Sequence, residues 1–276
     1  FVPAGFFARL GLALAYVGLA PPALTSGFRS GNLSFAVVGA GIAAFLVWRE
    51  RPGLAGVLLG VSSVVKPITP VGIVVLGAHR AESSGWRHRI ASATGLLVAG
   101  GLSLATPYLW DYLSAEHATQ EWPLRRAVSL YRFVELLGVS VHPAVLVLAV
   151  GLVFAWIGWR HPRSPRQVVV LGLTAMALAT PALWSHSLLI VAPLAVMSLV
   201  KAGERYRDRR SRAAVYELVV IALIVLALQL SNGIGGGAEG RSSLVQIAFL
   251  ILPVGAPVGL AFYLWRSEGS GPSSSR

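Results

Sequence analysis

Apolar runs of helix length alternate along the chain with short polar breaks that carry arginine. The runs cover residues 6–24, 31–48, 53–78, 90–110, 142–159, 168–200, 213–230 and 244–265. Their lengths suit helices, not the roughly ten-residue alternating strands of a membrane barrel. Two runs are cut in the middle. In 53–78 the cut is Lys66-Pro67, with Pro70 close behind. In 168–200 it is Thr180-Pro181-Ala182-Leu183-Trp184-Ser185-His186-Ser187. Proline lacks an amide proton and breaks a helix, so each long run reads as a hairpin of two short helices with polar residues at the apex. The pattern predicts an all-α fold, a polytopic integral membrane helical bundle with short broken or hairpin helices. Residues 1–266 form a single transmembrane domain of about 8–10 helical segments, and 267–276 a flexible cytoplasmic tail. Between the runs, 111–140 reads as the longest polar stretch, 201–212 as a basic loop and 231–243 as a Gly-rich loop.

Composition sharpens this. The chain has 276 residues, of which 12% are charged, and its mean hydropathy is +0.70; a soluble domain carries about 25% charge. The net charge of +12 would suggest nucleic acid in a soluble protein, but here the arginines lie between apolar runs, where the positive-inside rule accounts for them. With both cut runs folded as hairpins, 17 of the 23 Lys and Arg residues fall on one side, five on the other, and Lys66 remains. With single crossings the split would be 14 against 8. The hairpins are therefore preferred, the basic side is cytoplasmic, and the localisation is a plasma (inner) membrane, multi-pass. The basic loops are expected to meet anionic lipid. There is no cysteine, and neither a Gly-rich nucleotide loop nor a His/Asp cluster, so no metal, cofactor or nucleic-acid partner is expected.

Lys66 changes the picture most. An ammonium at the bilayer centre costs about 2.5–3.5 kcal/mol, which makes an intramembrane lysine a functional-site hypothesis. A broken helix at that depth is tolerated only where protein or a wet cavity covers it. The hairpin topology brings Lys66, His186 and the start of the second run at Gly31-Asn32 to one outward-facing level, under the polar stretch that begins with Asp111. Each residue also has a plain reading. Lys66 could touch headgroups, His186 or Asn32 could cap a helix, Trp184 could sit in an aromatic belt, and Asp111, Glu116 and Glu121 could be solvated loop acids.

Three segments in order resemble glycosyltransferase family 87, whose members are GT-C-class membrane mannosyltransferases. The first is Gly31-Asn32-Leu33-Ser34, the second Arg49 to Pro52 followed by GLAGVLLGVSSVVKPITP, and the third the stretch Thr180 to Ser187. In the third, Pro181, Trp184 and His186 match the family pattern, while Ser185 and Ser187 stand where it has Asp and a second His. The resemblance implies a GT-C-like fold and transfer of a sugar, mannose in this family, from a polyprenyl-phosphate donor to a glycolipid or cell-envelope glycan acceptor on the non-cytoplasmic side. It implies substrate binding by Lys66, His186, Asn32 and Trp184. The family's catalytic Asp lies on a first outward loop that would precede Phe1, so the chain reads as a fragment lacking that loop; Asp111 is the candidate within it. Phosphate is the leaving group in this chemistry, and a cation such as Lys66 offsets the charge that grows on it. Two other readings stand beside the enzyme: a transporter or flippase with an anion site at Lys66, and an inactive scaffold relative.

Overall fold

The computed structural model describes residues 34–65, 69–78, 86–105, 129–160, 164–179, 191–234 and 243–269. Among them all regular structure is helical. The helices are α1 (Ser34–Val47), α2 (Pro52–Val65), α3 (Thr69–Ala78), α4 (Arg87–Ala105), α5 (Leu130–Leu136), α6 (Pro143–Arg160), α7 (Pro165–Ala179), α8 (Ala192–Arg209), α9 (Arg212–Ile234) and α10 (Ser243–Gly269). Among the described residues no helix is long and apolar enough to cross a membrane.

Local chemistry explains several boundaries. Prolines occupy the first position of α2, α6 and α7, where the missing amide proton would have had no partner. Ser129 caps α5 by accepting from the Arg132 amide at 3.2 Å, and Ser211 accepts from the Ala214 amide at the start of α9. The imidazole of His142 accepts from the Ala144 amide at 3.3 Å, at the start of α6. Three expectations need correction. The stretch 111–140 is not loop throughout, because Ser129 nucleates α5 within it. The run 201–212 is not a loop either, because α8 continues to Arg209. Arg, Lys and Glu are good helix formers, Lys201 and Glu204 pair at i,i+3, and Ala202 is buried in the core. The helix ends at Arg210, which takes a left-handed conformation at φ +44°. Ser267 and Gly269, placed in the tail by sequence, belong to α10.

The helices pack through a glycine seam. A Cβ built on Gly56 would stand 2.5 Å from the Ala91 carbonyl oxygen, and one on Gly60 would stand 2.7 Å from the Val98 Cβ. Rising numbers on α2 meet rising numbers on α4, so these two helices run parallel with backbones almost touching, as small-xxx-small spacing allows. Packed beside both, α3 runs the other way: Gly77 faces Ser92 while Ile73 faces Gly95, and the Ser92 hydroxyl donates to the Ile73 carbonyl at 3.0 Å. The main core joins Phe45 of α1 and Trp48 just beyond it, Leu59 of α2, Ile73 and Leu76 of α3, Leu173 and Met176 of α7, Leu194 of α8 and Leu260 of α10. The Phe45 ring occupies the space where a Cβ on Gly172 would lie.

Candidate functional site

Packing contacts sort the helix termini into two ends of the bundle. At the first end, Arg87 donates to the Arg49 carbonyl at 2.8 Å, which joins the α1–α2 turn to the start of α4. Leu46 of α1, Val169 and Val170 at the start of α7, Lys201 and Glu204 of α8, and Leu264 and Ser267 of α10 line one groove at this same end. At the opposite end, a Cβ on Gly72 would meet Met176 Sδ at 3.0 Å. Gly72 is in the first turn of α3, and Met176 is in the last turn of α7. The end of α2 reaches this level through its antiparallel relation to α3, and the end of α4 through its parallel relation to α2. The start of α1 reaches it through the short turn at 48–51.

Every sequence-predicted site residue lies outside the described residues: Lys66, His186, Asn32, Trp184 and Asp111, with Glu116 and Glu121. What is described is the set of helix ends next to them in sequence. Lys66 directly follows the last residue of α2, Asn32 lies two residues before α1, Asp111 six residues beyond α4, and His186 seven beyond α7. The last carbonyls of α2, α4 and α7 carry the negative ends of their helix dipoles, which favour a cation nearby. The first amides of α3 carry the positive end, which favours an anion. Over residues 66–68 the chain thus passes from a cation-favouring terminus to an anion-favouring one. Ser62 and Ser63 do not add donors here. Their hydroxyls donate back to the Leu58 and Leu59 carbonyls, Ser62 at 2.7 Å and Ser63 at 2.6 Å, the local bonding that serines favour within helices.

Sequence reasoning passed over a polar cluster at the first end. The Glu217 carboxylate of α9 accepts from Arg205 of α8 at 2.8 Å and from the Tyr263 hydroxyl of α10 at 2.6 Å. An acid inside an apolar run is the same signal that singled out Lys66, and Glu217 sits in such a run. Arg132 pairs with Glu135 one turn along α5 and donates to Gln246 of α10 at 3.1 Å. His88, buried at the start of α4, has its pKa held below the ordinary value by burial, with the neighbouring Arg89 adding to the effect. No group of acids, histidines or cysteines that could hold a metal occurs among the described residues.

The family model for glycosyltransferase family 87 matches residues 4–181, well over half of the chain. The chain belongs to glycosyltransferase family 87. The match takes in Asn32, Lys66 and Asp111 and ends at Pro181, so Trp184 and His186 fall just beyond it. No curated protein and no solved structure matches the chain. Family membership makes sugar transfer the activity class, with a sugar donor and an acceptor as partners.

Proposed function

We propose that the chain is an integral membrane glycosyltransferase that moves mannose from a polyprenyl-phosphate donor to a glycolipid or glycan acceptor on the non-cytoplasmic face. In this reading Lys66 holds the donor phosphate and offsets the charge that grows on it as the glycosidic bond breaks. His186 positions phosphate or acceptor, Asn32 bonds the sugar, Trp184 stacks on it, and Asp111 is the candidate base. The observation that carries the proposal is the gathering of helix ends. Four separate stretches bearing these residues leave from the ends of α2, α4 and α7 or lead into the start of α1, all at one end of the bundle. A phosphate there would meet the anion-favouring start of α3.

Exposed apolar surface supports the membrane setting. On α9 the stripe Val215, Val219, Leu223 and Leu226 is exposed, while Ile221 and Val225 on the other face are buried. A helix that is apolar all round belongs in a core or a bilayer. On α6, Leu148, Leu152, Trp156 and Trp159 are each more than half exposed, a face that water would disfavour. The basic turns then gather at the cytoplasmic surface.

Lys66→Met tests the assignment, because it removes the charge and keeps most of the stem. Donor binding, measured by titration of polyprenyl-phosphate sugar in detergent, should weaken about ten- to a hundredfold, the usual weight of a charge-assisted hydrogen bond. Lys66→Arg should restore binding only in part, since a planar guanidinium needs more room. Unchanged donor binding in Lys66→Met would overturn the role of Lys66.

A further inference from the structure

The junction of α8, α9 and α10, at the end of the bundle opposite the candidate transfer site, forms an open groove of about 450 Å³. That volume lies within the roughly 300–1,000 Å³ of small-ligand sites. Arg205, Arg209 and Arg266 line it against a single carboxylate, Glu217, with Phe262 and Tyr263 completing the wall. Glu217 is committed to Arg205 and to the Tyr263 hydroxyl, and the Arg205 guanidinium also stands 5.8 Å from the centre of the Tyr263 ring. Arg209 and Arg266 form no ion pair among the described residues. The Arg266 guanidinium lies over Phe262 at 5.6 Å, which orients its plane without neutralising it. Arg205 and Arg209 are spaced i,i+4 on one face of α8, an arrangement that repels in an isolated helix. Among the described lining residues three guanidiniums face one carboxylate, with Glu204 acting on Tyr263 from α8, and a planar guanidinium matches phosphate oxygens two at a time.

We infer that this groove binds a phosphate oxyanion, with Arg209 and Arg266 as its ligands and Arg205, fixed by Glu217 and Tyr263, as its positive wall. The phosphate is that of an anionic phospholipid headgroup or of a free phosphate compound. The groove chemistry does not rest on the glycosyltransferase reading; only the lipid source rests on the membrane setting.

The test uses the full chain in detergent at about 0.15 M ionic strength, where screening limits long-range attraction to about 8 Å. Short-chain phosphatidylglycerol and inorganic phosphate are titrated separately, and the unfolding midpoint is followed. At least one should raise the midpoint in a saturable way. Arg209→Gln with Arg266→Gln should weaken that binding about tenfold or more. Each single variant is measured beside the double one, and removing exposed like charges should leave the unliganded midpoint in place. Arg207, on the same helix but 78% exposed and near Asp208, is the control: Arg207→Gln should bind as the parent does. Saturation by the lipid alone assigns a headgroup, and equal saturation by inorganic phosphate assigns a soluble ligand. No saturable shift with either probe, or equal loss in Arg207→Gln, would overturn the inference in favour of diffuse surface charge. Because Lys66 follows α2, whose end lies at the other end of the bundle, a Lys66→Met variant that binds donor normally would leave this result intact.

Discussion

The carboxylate of Glu217 holds two helices to a third, and its side chain is only 26% exposed, so solvent screens it less than an ordinary surface pair. Glu217→Gln keeps the shape and an acceptor oxygen for Tyr263 but loses the charge that faces Arg205. The unfolding midpoint should fall by the equivalent of about 1.5–3 kcal/mol, the range for hydrogen bonds to charged groups; an unchanged midpoint would show that the cluster is not structural. His88 gives a different readout. Its folded-state pKa lies below the ordinary 6.5, so the unfolded chain takes up the proton more readily. The stability tied to neutral His88 is complete above about pH 6.5 and is lost as pH falls toward the folded value. Midpoints measured from pH 8 down to pH 5 should therefore decline, and His88→Gln should decline less. A parallel decline in both proteins would place the pH dependence elsewhere. At this scale the sequence was legible in part. Glu217 stands out as an acid among apolar residues, but its partners lie 12 and 46 positions away, and no local pattern points to them.

Among elements, the α2–α4 seam is the most exacting. Gly56, Gly60 and Gly95 let two backbones approach until an added Cβ would stand under 3 Å from its neighbours at Gly56 and Gly60. Gly60→Leu cannot be absorbed by rotating a side chain, because the nearest atoms include the Gly95 carbonyl. Overpacking of this kind costs about 1–3 kcal/mol, and the rigid neighbour argues for the upper end. Gly53→Leu, with nothing within 4 Å of an added Cβ, should leave the unfolding midpoint within about 0.5 kcal/mol of the parent, as for surface changes generally. Equal losses in the two variants would contradict the seam. The same segment shows why helix positions could be read from the pattern. Apolar runs ending at proline or at charge gave α2, α3 and α6 nearly to the residue, and α7 with its start three residues late. The run 201–212 was misread because charge density alone suggests a solvated loop, whereas the buried Ala202 and the contact of Arg205 with α9 hold α8 in register.

For the whole molecule, the ends defined by packing coincide with the division of charge along the chain. Arg49, Arg87, Arg205, Arg209 and Arg266 all belong to the end formed by the α1–α2 turn, the start of α4 and the C-terminal parts of α8 and α10. The termini that flank Lys66 and the stretch 180–187 belong to the other. This agreement was legible because both cut runs carry proline beside polar residues, and a hairpin returns the chain to the side it left. The apices at 66–68 and 180–190 lie outside the described residues, and proline marks a break without fixing the path across it. If the basic end faces the cytoplasm, the two ends are chemically accessible from opposite sides of a sealed membrane. The chain has no cysteine, so single substitutions report cleanly. Arg207→Cys, at a 78% exposed position, should react with an impermeant thiol reagent only when the cytoplasmic face is open to it. Ser185→Cys should react from the opposite face. Reaction of both from the same side would sink the hairpin topology, because Ser185 and Arg207 are separated by one passage along α8, and with it the outward-facing site proposed for sugar transfer.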